Sequence, residues 1–347
     1  MPNRDLSMLD EKLKAYCETE KISAVLRITV KDEIVYQTHF GYADDQSKTP
    51  FTENSMFSFY SLSKPFCAIG LLKLMENGAV DLDSHPKKYL PEAEGFDERV
   101  TIRHLLHHVS GLPDFEQNSD FCSRYMPGTN DRIREHVKLL TKYPSYFAPN
   151  TDAKYANVNF VIPALIIENL SGLTYAEYMK KEVFEPLGAK KALVDNENIF
   201  VENRVQGYDL KNDVRVPIEK SYNWMLGAGD IVGTLDDAYC LNTAYKNKQV
   251  LSRETWEKVV TPSQINKMGI GNSVFTWHGK CRINHSGGHL GFRTLHVQLP
   301  EDDFDIIFLS NSGYGNAREV ISELIYQTFY DREATPEKCI EMDKGYV

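Results

Sequence analysis

Phe57-Ser58-Phe59-Tyr60-Ser61-Leu62-Ser63-Lys64-Pro65-Phe66 is the stretch on which the reading of this chain turns. On a helix, a spacing of three puts Ser61 and Lys64 on one face, about a hydrogen bond apart. A serine hydroxyl is a weak nucleophile until a neighbouring base accepts its proton. A lysine is such a base if burial and nearby positive potential push its amine down from about 10.4. Pro65 adds a constraint, because a residue without an N–H is tolerated only in a helix's first turn. Ser61 is thereby placed at a helix N-terminus, where the macrodipole favours negative charge on its oxygen. The helix is predicted over about 61–77 and stops at Gly78, a residue suited to a left-handed C-cap. An S-x-x-K spacing arises by chance in most chains of this size, so it carries weight only with partners.

Two partners are found downstream. In Tyr155-Ala156-Asn157, a tyrosine beside Lys64 could shuttle the serine proton, and an asparagine amide offers both a donor and an acceptor to substrate. In His285-Ser286-Gly287-Gly288, two glycines at the end of an apparent strand let substrate approach the backbone closely. An N–H there, that of Gly288, could join the Ser61 N–H as an oxyanion hole. Taken singly, each reads as an ordinary loop or turn.

The rest of the chain sets bounds on the function. Its 347 residues suit one large domain or two that share a cleft. Apolar residues at 42% and charged residues at 25% are an ordinary globular balance. The net charge of −10, from 39 basic and 49 acidic residues, comes with no basic block, which argues against nucleic acid as a partner. The first twelve residues lack an apolar h-region, and no apolar run approaches the ~20 residues of a membrane span. Cys17, Cys67, Cys122, Cys240, Cys281 and Cys339 are scattered with no C-x-x-C pair, the pattern of unpaired thiols in a reducing compartment. A cytoplasmic location is therefore expected.

Along the chain, an amphipathic helix near 9–20 precedes a hairpin (25–30 and 34–39) turning at Lys31-Asp32-Glu33. Thr101 starts a helix that ends at Ser110-Gly111, and Thr174 with Glu177 and Thr234 with Asp237 are capping-box patterns. Short strands recur at 274–277, 281–284, 295–299 and 305–310, followed by a last helix with Val320, Leu324 and Phe329 near one face. Long runs of each element type predict an α+β fold rather than βαβ alternation. The N-terminal hairpin and the C-terminal strands should complete one antiparallel sheet, with a helical insertion between. No internal repeat, low-complexity segment or linker is present.

Taken together, the three motifs and their flanks resemble the serine penicillin-recognising enzymes, in the branch of class C β-lactamases and D-alanyl-D-alanine carboxypeptidases. The handful of residues that carry S-x-x-K is extended by Val80-Asp81-Leu82-Asp83, Tyr89-Leu90-Pro91, Thr101-Ile102-Arg103-His104-Leu105-Leu106-His107-His108-Val109-Ser110-Gly111-Leu112 and Gly227-Ala228-Gly229-Asp230. The likeness covers roughly residues 20–330. It implies a class C β-lactamase-like fold: an α/β domain with an antiparallel sheet from 1–78 and 205–347, a helical domain from 79–204, and a site in the cleft between. It further implies Ser61 as nucleophile, Lys64 and Tyr155 as the proton-handling pair, and Asn157, His285, Ser286 and Gly287 as substrate contacts. The Ser61 and Gly288 N–H groups become the oxyanion hole, with no cofactor and no metal. The departure lies at the third motif, where the β-lactamases and carboxypeptidases carry Lys-Thr-Gly to draw in a carboxylate. His285-Ser286-Gly287 resembles instead the esterase and aminopeptidase-like relatives, and a histidine is only partly charged near neutral pH.

The expected function is a serine hydrolase that forms an acyl-enzyme on Ser61 from a small ester, amide or peptide, with a covalent β-lactam adduct as a further possibility. The alternatives are a β-lactamase or D-alanyl-D-alanine carboxypeptidase and, in another class, a penicillin-binding, ligand-sensing or structural protein with little turnover. His104, His107 and His108 lack the carboxylate of a zinc motif and read as a helix surface with packed imidazoles. Gly227-x-Gly229 lacks the βαβ unit of a dinucleotide loop, and no G-x-S-x-G elbow occurs. The 19 tyrosines and 17 phenylalanines suit core and cleft lining. The stretches 115–149 and 196–223 read as irregular loops over the cleft.

Overall fold

Lys31 and Asp32 both adopt positive φ, at 52° and 65°. A two-residue turn of that kind matches the right-handed twist of the strands it joins. It links β1 (Ala24–Val30) to β2 (Glu33–Phe40). A computed structural model describes residues 6–115, 130–195, 199–219 and 225–330. The expected sheet from both chain ends is present, with six antiparallel strands. β8 (Ser273–Trp277), β9 (Lys280–His289), β10 (Phe292–Leu299) and β11 (Phe304–Ser310) join the hairpin in the order β2-β1-β11-β10-β9-β8. β1 alternates less than its sequence suggests. Helices cover the sheet on both sides of β1, so both of its faces are buried, and Arg27 is accommodated by Gln37 at 2.7 Å and Asp236 at 2.6 Å.

One face of the sheet is covered by α1 (Ser7–Thr19) and the C-terminal helix, Ala317–Tyr330, through Leu9, Leu13, Ile321 and Ile325. Against the other face lie α2 (Ser63–Glu76) and the helices that follow it in one continuous core. These include α3 (Ile102–Leu106), α4 (Asn130–Leu140), α5 (Val158–Ser171) and α6 (Tyr175–Met179). Every residue of α5 from Val158 to Ile167 is buried, so this part of the helix is enclosed all round. Two small sheets complete the fold: β3 (Phe57–Ser58) and β4 (Leu193–Val194) flank β7 (Ile231–Gly233), and β5 (Tyr208–Lys211) pairs with β6 (Val214–Pro217). The fold is α+β.

Three expectations need adjusting. The helix from Thr101 stops at Leu106 rather than at Gly111, because His108 takes a left-handed backbone, φ 57°. The stretch 115–149 contains α4, and 196–223 contains the β5–β6 hairpin, so neither is irregular throughout. Residues 116–129, 196–198 and 220–224 lie outside the described residues. Both capping boxes form, Thr174 with Glu177 and Thr234 with Asp237, the latter opening α7 (Leu235–Asn247). The helices after it are α8 (Arg253–Val259) and the C-terminal α9. Among the described residues no single helix is long and apolar enough to cross a membrane, and Cys17, Cys67, Cys240 and Cys281 are free thiols.

Candidate active site

Ser61 sits in a 3-10 turn, Tyr60–Leu62, that runs directly into α2, whose α-helical start at Ser63 comes two residues after the predicted one. Tyr60 before it has φ 48°, a conformation that costs a non-glycine residue about 1 kcal/mol or more. Its ring is held by His289 and Phe292, at centroid distances of 5.4 and 5.9 Å. The turn presents Ser61 at the helix entrance, half-buried, while Lys64 is fully buried beneath it.

Lys64 Nζ donates to three acceptors: Ser61 Oγ at 2.9 Å, Asn157 Oδ1 at 2.8 Å and the Ala228 carbonyl at 2.8 Å. An ammonium has three hydrogens, and all three have a partner. On losing one proton, the amine keeps its two bonds to Asn157 and Ala228, which accept only. Its lone pair must then face Ser61, whose hydroxyl is the one partner able to donate in return. The same cage can thus hold either a charged lysine or a neutral amine whose lone pair faces Ser61 Oγ. Tyr155 and Phe160 close it, with Nζ at 4.7 and 5.9 Å from their ring centroids.

The tyrosine is held by His108, Asn159 and Asp114, none of which belongs to the three sequence motifs. His108 stacks on the Tyr155 ring, centroids 4.3 Å apart. His108 Nδ1 accepts from the Ala156 N–H at 3.2 Å and lies 3.1 Å from Asn159 Nδ2, so its proton is on Nε2. Ser110 Oγ donates to Asn159 Oδ1 at 2.7 Å. Asp114, nearly buried, accepts from the N–H groups of Asn157 at 2.7 Å, Val158 at 3.0 Å and Phe115 at 2.9 Å. Two of these donors belong to the otherwise unsatisfied first turn of α5. The expectation of a histidine-bearing helix surface is therefore corrected. His104 caps α3, His107 Nδ1 contacts the Met268 carbonyl at 2.8 Å, and both His107 and His108 lie past the helix end.

The third motif arrives from β9. Its partner β8 pairs only as far as Asn284, which leaves the edge of residues 285–289 open on that side. Gly287 abuts the turn carrying Ser61, and a Cβ there would stand 2.1 Å from the Phe59 carbonyl oxygen. His285 is fully enclosed, 6.4 Å from Tyr155 between ring centroids. Its Nδ1 lies 2.7 Å from the Ser286 carbonyl, an acceptor, so Nδ1 carries the hydrogen and Nε2 is an acceptor. Burial and the neighbouring Lys64 charge push this imidazole down to about 3. Ser286 pairs across the sheet with Leu295, a residue of the core under α1 and α9, so its side chain shares that face and not the face of His285. Gly288 is exposed at the strand's end.

These buried groups contribute to stability in acid. His285 and His296 are both depressed to about 3, and His108 lies well below its ordinary range, each chiefly through burial. Neutral when folded, they bind protons at their usual value near 6.5 when unfolded, so their contribution is lost as pH falls from 6.5 toward 3. Asp230 and Asp305, raised by burial to about 7 and about 6, act oppositely. The folded chain keeps their protons and the unfolded chain releases them above about 4, so they favour the folded state as pH falls. His85, His104, His107 and His289 are lowered in the same way, against one further raised carboxyl, Asp114, so on balance the unfolded chain takes up more protons than the folded one between pH 6 and 4 and stability falls over that interval. Calorimetry is expected to show the melting temperature falling over that interval; a flat or rising one would contradict the neutral-imidazole assignment.

Comparison with known proteins agrees with this architecture. The sequence model of the Beta-lactamase family matches residues 9–326. Penicillin-binding protein 4* of Bacillus subtilis (strain 168) is 31% identical over 301 residues, 80% of this chain and 66% of that protein. The chain spans 66% or less of the length of the first curated relatives it matches. Among solved structures, the octameric penicillin-binding protein homologue from Pyrococcus abyssi superposes with a TM-score of 0.80 at 23% identity, covering 93% of this chain and 77% of that one. The D-amino acid amidase from Ochrobactrum anthropi SV3, complexed with D-phenylalanine, superposes with a TM-score of 0.74 at 22% identity, covering 93% and 98%.

Proposed function

The chain belongs to the beta-lactamase family, and on that premise we propose that it is a serine hydrolase that acylates itself on Ser61 with a small ester or amide. The observation that carries the reading is the Lys64 cage: three acceptors, one of them Ser61 Oγ, around a fully buried amine. Ser61 Oγ attacks the carbonyl carbon as its proton passes to Lys64, with Tyr155 beside the amine to relay it to the leaving group. The oxyanion is taken by the backbone N–H groups of Ser61 and Gly288, donors worth about 3 kcal/mol each in such sites. The C–O or C–N bond breaks, the alcohol or amine departs with the proton, and water then releases the acid by the same route. Asn157 meets Lys64 with Oδ1, so its contact with substrate falls to Nδ2. We place the site in the cleft between the helical segment 79–204 and the sheet domain of 1–78 and 205–347. The free thiols support a reducing, cytoplasmic setting.

His285 decides among substrates. A neutral imidazole presenting an acceptor offers no cation to a carboxylate, which favours neutral esters and amides over acyl-D-alanyl acids and penicillins. The D-amino acid amidase from Ochrobactrum anthropi SV3 is a structural neighbour also described in complex with L-phenylalanine amide, a ligand whose carboxyl is an uncharged amide. A matched pair of activated esters, one with a free terminal carboxylate and one with that carboxylate as an amide, tests this. The neutral ester is expected to have the equal or higher kcat/KM, and His285→Lys to move the ratio toward the acid by about 10-fold. A native preference of more than 10-fold for the acid would overturn the assignment. A burst with no steady state would favour the alternative of a ligand-capturing protein.

A further inference from the structure

One buried titratable group next to Lys64 takes no part in the steps above. The turn Gly227-Ala228-Gly229-Asp230 supplies the Ala228 carbonyl that accepts from Lys64. It is wedged between α2 and α5, where Gly227 has φ 72° and a Cβ would lie 2.7 Å from both Ala164 Cβ and the Phe160 carbonyl oxygen. The Ala228 and Gly229 N–H groups both donate to the Met225 carbonyl at 2.8 Å. A further support is Asp230, whose Oδ2 accepts from the Gly227 N–H at 2.9 Å. Asp230 is only 1% exposed, and its Oδ1 has no hydrogen-bond partner.

Asp230 is itself anchored on both sides of Ser61. Its carbonyl accepts from the Asp195 N–H at 2.6 Å, and the Asp195 carboxylate is paired with Arg204. The following Ile231 donates its N–H to Ser63 Oγ at 2.9 Å and accepts from the Phe59 N–H at 2.9 Å. The titratable groups that face it are Lys64 and Cys67 from α2, Tyr175 from α6, and Asp195 after β4. The part of α5 that packs against the turn offers Phe160 and Ala164, neither of which ionises.

We propose that Asp230 is a positioning residue for Lys64: by holding the 227–229 turn it keeps the Ala228 carbonyl on one Nζ hydrogen, which leaves the amine's remaining direction to Ser61. The inference rests on the reading of Lys64 as base. A second consequence follows from charge. Burial raises the Asp230 carboxyl to about 7, against the pull of Lys64. Below that pH a neutral carboxyl sits beside the lysine. Above it a carboxylate favours the ammonium and so lowers the fraction of Lys64 in the basic form.

The test is the rate at which an activated phosphonate labels Ser61, followed by intact mass across pH 6–8.5, in the unaltered enzyme and in Asp230→Asn and Asp230→Ala. Asparagine keeps an acceptor for the Gly227 N–H without a charge. Its rate relative to the unaltered enzyme is expected to be within about 2-fold at pH 6 and to rise to about 10-fold faster at pH 8.5, where one unit of lysine pKa corresponds to tenfold in free amine. Alanine removes the support and is expected to be at least 10-fold slower at pH 6, with Asp230→Asn restoring the rate. A constant Asn-to-native ratio across the range, or a folded alanine variant that labels at the native rate, overturns the role of Asp230 while leaving Ser61 and Lys64 in place. Failure of the unaltered enzyme to label at all overturns both.

Discussion

Lys64→Met is expected to slow acylation of Ser61 by about 10²–10⁴-fold while leaving the protein folded. Methionine fills the volume of the lysine stem but cannot accept a proton from Ser61. The replacement removes a buried cation rather than stranding one. Lys64 has no carboxylate within its three hydrogen bonds, only two carbonyl oxygens and a hydroxyl. Replacing a whole buried ion pair by apolar groups is often neutral, but here the Asn157 and Ala228 oxygens lose their donor, so a destabilisation of about 1–3 kcal/mol is expected. A loss of rate in a protein that stays folded at the assay temperature is therefore the signature of a base, whereas a melting temperature that falls with the rate unchanged would indicate a structural lysine. Lys64→Arg should be as slow as the methionine variant, because a guanidinium stays protonated at any workable pH. Rates from phosphonate labelling decide this without knowledge of the natural substrate.

The second large effect belongs to a residue with no part in the chemistry. Asp114→Ala is expected to destabilise the protein by about 3–5 kcal/mol, because three buried backbone N–H groups lose a carboxylate acceptor at once. Burial already raises this carboxyl above its ordinary range in spite of its three donors. Two of those donors lie at the start of α5, directly after Tyr155 and Ala156. The variant should therefore also mislay the tyrosine and slow Ser61 labelling. Asp114→Asn, which keeps an acceptor, should lie between. Urea unfolding gives the stability change, and an alanine variant within 1 kcal/mol of the native protein would contradict the role given to Asp114.

How much of this was legible in the chain differs by length scale. The hairpin, the α+β order and the two capping boxes rest on neighbours a few residues apart, and local patterns carry such information directly. The Ser61–Lys64 pair is equally local, since one helical turn sets it. The Pro65 argument placed it near the helix entrance, although the 3-10 turn ahead of α2 was not visible. What the pattern could not disclose is the wall behind the site. Asp114 meets Asn157 across 43 residues and His108 meets Tyr155 across 47, contacts made by packing rather than by period. The available signal was Asp114 itself, a carboxylate beside the apolar Leu112-Pro113 and Phe115. His108 sits on the same helical spacing as His104 and His107, and only the left-handed backbone past Leu106 turns its ring onto Tyr155. Asp230 stood in a glycine turn that had been noted, but nothing in that turn disclosed that its carbonyl would face Lys64.

The central claim is that Ser61 is an activated nucleophile, and intact mass with peptide mapping after incubation with an activated phosphonate tests it most directly. A single adduct on the peptide carrying Ser61, absent from Ser61→Ala, with little or none from a penicillin, is the result this account predicts. An unmodified protein, or an adduct that persists in Ser61→Ala, would contradict it.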